Sequence, residues 1–144
     1  MKKSILLLAA LTSLQVLAYD GEQILEILEP GVYEGLNQDG LCYVTVKTFN
    51  VTKPTVVVEI NKNKTGSVSA ARFNELSSYE TASIKKVENG LVYNIEREAR
   101  GVLDAAQKAK LEIMSDSTDT EVYIEKKVKT FFGWRIEESA SCVL

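Results

Sequence analysis

The chain has 144 residues, with 17 basic and 20 acidic side chains, a net charge of −3, two cysteines and no histidine. The acidic balance disfavours nucleic acid as a partner, and on bulk charge it also disfavours an anionic membrane. The absence of histidine excludes the usual Ser-His-acid and Cys-His catalytic arrangements and the commonest zinc ligand.

The N-terminal segment has the three parts of a secretory signal peptide. Lys2 and Lys3 form a positive start, residues 5–18 are mostly apolar, and Val16-Leu17-Ala18 offers small residues for cleavage. The apolar stretch is shorter than the roughly 20 residues that a spanning helix needs. The sequence therefore predicts a signal peptide at 1–18, no stable membrane span, and export, with the bacterial periplasm as the expected compartment. Residues 19–144 are expected to form a single domain.

The first predicted element of that domain is a short helix in "DGEQILEILEPG". Its apolar residues Ile24, Leu25, Ile27 and Leu28 fall near one face, and Pro30-Gly31 ends it.

The rest of the chain is typical of strands. Six windows show the period-two alternation of a half-buried strand, namely "CYVTVKTF", "TVVVEI", "LVYNIE", "AKLEIM", "EVYIE" and "FFGWRIE". Two further segments, "GVYEG" and "SIKKV", lie beside turn signals. Turn signals such as "NQDG" and "ENG" separate them, which predicts an antiparallel meander of about eight or nine strands. Residues 99–107 are expected to form a long connection or one helical turn.

The two cysteines predict how the meander ends. In an exported protein Cys42 and Cys142 are expected to form one disulfide, which brings the end of the chain beside the early hairpin. This favours a closed or nearly closed barrel, with the last strand against the first. A β-sandwich is the alternative, because two stacked sheets could satisfy one disulfide as well.

The sequence contains no catalytic, cofactor-binding or metal-ligating constellation that its spacing would nominate, so we expect a non-enzymatic protein. The densest aromatic cluster is Phe131, Phe132 and Trp134. Three placements remain open for it, namely the core, the wall of a ligand cavity, or an exposed contact patch. Tyr93, Phe132 and Trp134 are the candidate cavity-wall residues.

Two functions are consistent with these observations. The signal peptide, the early "GVYEG" and the cysteine pair resemble small secreted β-barrels such as calycin-type ligand binders and periplasmic lysozyme-inhibitor barrels. The first hypothesis is a binding module for a small apolar or lipidic ligand. The second is a module that binds an envelope protein, such as an inhibitor of an envelope hydrolase, through a protruding loop at 61–66 or 115–120. A monomer is expected in both.

Overall fold

The computed structural model describes residues 20–49, 55–62, 66–69 and 78–144. The predicted signal peptide and part of the loop at 61–66 lie outside these ranges. Within these ranges one helix precedes nine strands, as follows: α1 (Asp20–Ile27), β1 (Gly31–Asn37), β2 (Gly40–Phe49), β3 (Thr55–Lys62), β4 (Gly66–Ser69), β5 (Glu80–Val87), β6 (Gly90–Arg97), β7 (Gln107–Ser115), β8 (Thr120–Thr130) and β9 (Gly133–Val143).

The strands form one antiparallel sheet in the order β4-β3-β2-β1-β9-β8-β7-β6-β5. Among the described strands, consecutive ones are hydrogen-bonded neighbours except β4 and β5, and β9 returns to pair with β1 through Leu36 and Val143. The sheet curls into a half-barrel with β4 and β5 as its edge strands. The predicted meander and the pairing of the last strand with the first are confirmed. The described strands belong to one sheet, so they do not form the two stacked sheets of a sandwich.

The core lies on one face of the curled sheet, which we call the inner face. Alternate residues of β2, β3, β6, β7, β8 and β9 are buried there, as the period-two patterns predict. The helix α1 adds Ile24 and Leu28 to the same core, so the apolar side of the helix closes over the inner face. In the described part of the chain no helix has the length and apolar character required to cross a membrane.

The disulfide between Cys42 and Cys142 is confirmed, with the two Cα atoms 5.9 Å apart. Cys42 lies in β2 and Cys142 in β9, and β1 lies between these strands. Neighbouring strands are about 4.8 Å apart, so an intervening strand would separate the two by about 10 Å in a flat sheet. The sheet therefore bends sharply at β1.

Glycine at position 35 makes this bend possible. A Cβ atom on Gly35 would lie 2.3 Å from the carbonyl oxygen of Val143 and 2.9 Å from the Sγ atom of Cys142. Any larger side chain would push β9 and the disulfide away from β1, so the absence of a side chain allows the early hairpin and the chain end to meet.

Three details differ from the sequence prediction. The short strand β4 was not assigned to any window, because four residues are too few to show alternation. Residues 98–106 form a connection without a helix, which resolves the alternative left open for 99–107. The strand predicted from Phe131 begins at Gly133, because Phe131 and Phe132 form the turn between β8 and β9.

Candidate functional site

The structure places the three candidate cavity-wall residues in three different environments. Tyr93 is 2% exposed and belongs to the core on the inner face. Phe132 is almost fully exposed in the β8–β9 turn. Trp134 is half-buried on the opposite, outer face, where it pairs with Lys129 of β8. The structure therefore does not bring these three side chains together.

The most exposed apolar side chains lie at one end of the sheet. Val102 and Leu103 in the β6–β7 loop are 101% and 104% exposed, and Phe131 and Phe132 in the β8–β9 turn are 98% and 96% exposed. We call these four residues the hairpin tips. The two loops are neighbours, because β7 pairs with β8 and the amide of Lys129 donates to the carbonyl of Ala106 over 2.8 Å. Monomeric proteins seldom leave adjacent large apolar side chains uncovered, so this end is the candidate site.

The β8–β9 turn holds its two phenylalanines away from the sheet. Thr130 and Gly133 close the turn as a register pair, and the Thr130 hydroxyl donates to the carbonyl of Gly133 over 2.7 Å. Gly133 has a φ of 115°, a left-handed conformation that glycine adopts readily. The rings of Phe131 and Phe132 meet edge to face at 5.5 Å. Among the placements left open for this cluster, the exposed patch is therefore the one observed for Phe131 and Phe132.

The β6–β7 loop is organised by a single carboxylate. Asp104 accepts two hydrogen bonds from the guanidinium of Arg97, at 2.7 and 3.2 Å, and two more from the amides of Arg100 and Ala105, each 3.0 Å long. These bonds hold the pKa of Asp104 well below its usual range, chiefly through the Arg97 side chain and then the Arg100 amide. The base of the loop is thereby fixed, and the apolar pair stands at its apex.

We expect Asp104 to titrate far below an ordinary aspartate. Its folded pKa is below the unfolded value of about 3.9, so its contribution to loop stability is complete at neutral pH and is lost as the pH falls from that value toward the folded pKa. An NMR pH titration of the Arg100 and Ala105 amides should show a midpoint below the ordinary aspartate range. The variant Asp104→Asn should abolish that step, and Asp116→Asn in the β7–β8 turn should leave it unchanged. A midpoint near 3.9 would contradict the assigned bonds.

Basic and aromatic side chains lie directly behind the hairpin tips on the outer face. The ring of Trp134 has the Lys108 Nζ atom 4.2 Å from its centroid and the Lys129 Nζ atom 5.3 Å from it. Such cation–π contacts hold a flat aromatic surface and positive charge together. A single tryptophan therefore lies within a few residues of both phenylalanines and is flanked by two lysines.

A polar groove of about 450 Å³ continues from Lys108 across the outer face. Its most buried charged group, Glu125, accepts a 2.5 Å hydrogen bond from the Tyr123 hydroxyl and pairs with the Lys127 Nζ atom at 3.1 Å. Burial, followed by the bond to Glu125, raises the pKa of Tyr123 to about 12. The Tyr123 hydroxyl in turn lowers the pKa of Glu125, despite its desolvation. Neither group titrates near neutral pH, where a general acid or base is most effective.

The loops predicted for the protein-binding hypothesis, 61–66 and 115–120, contain no large apolar side chain like those of the hairpin tips. The described part of 61–66 continues β3 and begins β4. Residues 116–119 form a tight turn in which the Asp116 carboxylate accepts hydrogen bonds from the amides of Thr118 and Asp119, each 2.8 Å long. Within the described ranges, no group of three or more acidic or cysteine side chains is arranged to hold a metal ion.

The comparisons with known proteins identify no relative. No family model matches the chain, and neither a curated protein nor a solved structure matches it. The sequence patterns point to Phe132 and Trp134 but not to Val102 and Leu103, because an apolar pair in a loop does not by itself show whether it is covered.

Proposed function

We propose that this protein is an exported, non-enzymatic module that binds lipid by inserting its hairpin tips into a lipid surface. The observation that carries the proposal is the near-complete exposure of Val102, Leu103, Phe131 and Phe132 in two neighbouring loops. The lipidic ligand of the first hypothesis is retained, but its binding site moves from a cavity inside the barrel to the loop end.

Transfer of these four side chains from water into lipid is energetically favourable. Transfer of one large apolar side chain from water to an apolar environment is worth roughly 1.5–3 kcal/mol. Four such transfers act together against the cost of binding, and that cost is reduced because one of the two loops is already fixed by Asp104. Loops of this kind require no cavity and no change in the sheet, because the tips are already free of protein contacts that would have to be broken.

The inner face is a weaker candidate for a ligand. Its described side chains pack with one another, and α1 places Ile24 and Leu28 over them.

Export is part of the proposal. The disulfide forms and persists outside the reducing cytosol, which agrees with the signal peptide predicted at 1–18. In the periplasm, a protein of this kind would meet the outer leaflet of the inner membrane and the inner leaflet of the outer membrane.

The proposal is tested by flotation of the exported protein with vesicles of phosphatidylcholine and phosphatidylglycerol. Intact-mass analysis should first establish that the apolar leader is absent, since it would bind lipid by itself. The exported protein should float with the vesicles, and emission from Trp134, the only tryptophan, should shift to shorter wavelength. The double variant Phe131→Ser and Phe132→Ser should bind at least about a hundred-fold more weakly, from two transfers of 1.5 kcal/mol or more.

The matched control is Leu36→Ser, which removes an apolar side chain that is 61% exposed on β1, away from the tips. This variant should float as the unmodified protein does. Lipid binding by the tips is refuted if the unmodified protein and the Leu36→Ser control both fail to float. It is also refuted if the double phenylalanine variant floats as well as the control. Size-exclusion chromatography distinguishes a different use of the tips. Dimerisation lost in the double variant would assign them to a second copy, and would contradict the monomer that we expect.

The second hypothesis, an inhibitor of an envelope hydrolase, uses the same observation differently. Protruding hairpin tips could fill an enzyme cleft, with Phe131 and Phe132 as aromatic anchors. Tight binding to a purified envelope hydrolase, lost in the double variant, together with no flotation, would replace the lipid proposal by this one.

A further inference from the structure

We infer that the lipid surface bound by the hairpin tips is anionic, and that basic side chains behind the tips select it. This inference rests on the proposed function and adds the headgroup class. It is opposite to the expectation from bulk charge, because the net negative charge of the chain averages over two very different parts of the sheet.

The charges are segregated along the described chain. Residues 96–110 and 125–138, which form the two tip loops and the adjoining strand halves, contain eight Lys or Arg and six Asp or Glu. The other described residues contain four Lys or Arg and thirteen Asp or Glu. The two segments that carry the apolar tips are therefore net positive by two charges, and the other described residues are net negative by nine. An anionic surface would attract the first part and repel the second, which orients the protein with its tips toward the lipid.

Two of these basic residues are best placed to meet headgroups. Lys129 and Arg135 lie on either side of the Phe131–Phe132 turn, in register with Trp134 and Val128 respectively. Within the described residues neither has a carboxylate at ion-pair distance, whereas Lys126 and Lys127 pair with Glu138 and Glu125. Both are exposed, so their charges are available to a partner.

The order of chemistry along the hairpin matches the depth profile of a membrane interface. Two phenylalanines stand at the apex, Trp134 follows, and Lys129 and Arg135 flank the tryptophan. Apolar side chains enter the acyl region, tryptophan favours the headgroup boundary, and lysine or arginine reaches anionic headgroups from just outside it. A protein cleft would not require this layering, so the order of side chains favours a lipid surface.

The experiment compares vesicles of phosphatidylcholine alone with vesicles that also contain phosphatidylglycerol. The exported protein should bind the anionic vesicles more tightly, and added salt should weaken that binding. A basic residue close to an anionic surface contributes about five-fold in affinity, so Lys129→Gln with Arg135→Gln should lose about thirty-fold on anionic vesicles. The same double variant should be nearly unchanged on neutral vesicles.

The matched control is Lys85→Gln with Lys86→Gln, which removes two positive charges from β5, outside the tip region. It should bind anionic vesicles as tightly as the unmodified protein. Equal binding to both kinds of vesicle, insensitive to salt, would overturn the inference of anionic selectivity while leaving the proposed function intact. A thirty-fold loss in the Lys85 and Lys86 control would also overturn the inference, since the affinity would then depend on total charge and not on the position of the basic residues. No binding to either vesicle, or anionic binding that survives loss of both phenylalanines, would overturn the proposed function together with the inference.

Discussion

Replacing both Cys42 and Cys142 by alanine is expected to lower the free energy of unfolding by about 2–4 kcal/mol. The disulfide closes a loop with a sequence separation of 100 residues, for which the chain-entropy model gives about 4.7 kcal/mol as an upper value. Its loss releases β9 from the early hairpin, where the described β1 and β9 share only one register pair, Leu36 with Val143. Urea unfolding followed by circular dichroism measures the effect.

Unfolding of the unmodified protein in the presence of reductant is the control for this prediction. Once reduction is complete, the unmodified protein should unfold at a urea concentration close to that of the double variant, and the double variant should be indifferent to reductant. An unchanged midpoint for the double variant would mean that the bend at β1 is maintained without the disulfide. The contact of Gly35 with the chain end would then be the stronger constraint.

The variant Tyr93→Ala is expected to lower the free energy of unfolding by about 3–5 kcal/mol, the range for large aromatic side chains in cores. Tyr93 is 2% exposed and lies between Ile84 of β5 and Leu111 of β7. Its removal would leave a cavity that the rigid sheet cannot fill. The adjacent Val92 points to the outer face, so Val92→Ala is the control and should cost less than about 1 kcal/mol.

Urea unfolding of the two variants distinguishes the core role of Tyr93 from the role predicted for it. A residue on the wall of a ligand cavity would lose little stability on truncation, whereas a core residue would lose several kcal/mol. A small effect for Tyr93→Ala, accompanied by altered binding of apolar compounds, would restore the cavity interpretation.

Local patterns were enough to predict most of the fold. Alternation in "CYVTV" and "LVYNI" identified residues that share a face, because successive side chains of a strand point to opposite sides of the sheet. Asn-Gly at 89–90 marked a tight turn, and Pro30-Gly31 marked the end of the helix. The cysteine pair added the long-range information, since one covalent bond between residues 42 and 142 requires the chain end to return to the early hairpin.

The candidate site could be predicted only in part. Phe132 and Trp134 were named, but "FFGWRIE" was interpreted as a strand from its first residue, because two phenylalanines before an alternating run look like its continuation. The pairing of Thr130 with Gly133 decided that Phe131 and Phe132 form the turn. Val102 and Leu103 have the composition of core residues, and no pattern within the loop indicates that nothing covers them.

The sequence by itself therefore determined most of the strands, the short helix, the disulfide and the buried face of the strands with clear alternation. All of these follow from the spacing of neighbouring residues or from a unique covalent partner. Only the tertiary structure decided that α1 covers the inner face, that Tyr93 is core, and that the tips and basic residues meet at one end. Exposure and charge segregation depend on which distant strands become neighbours, and that information belongs to the register of the whole sheet.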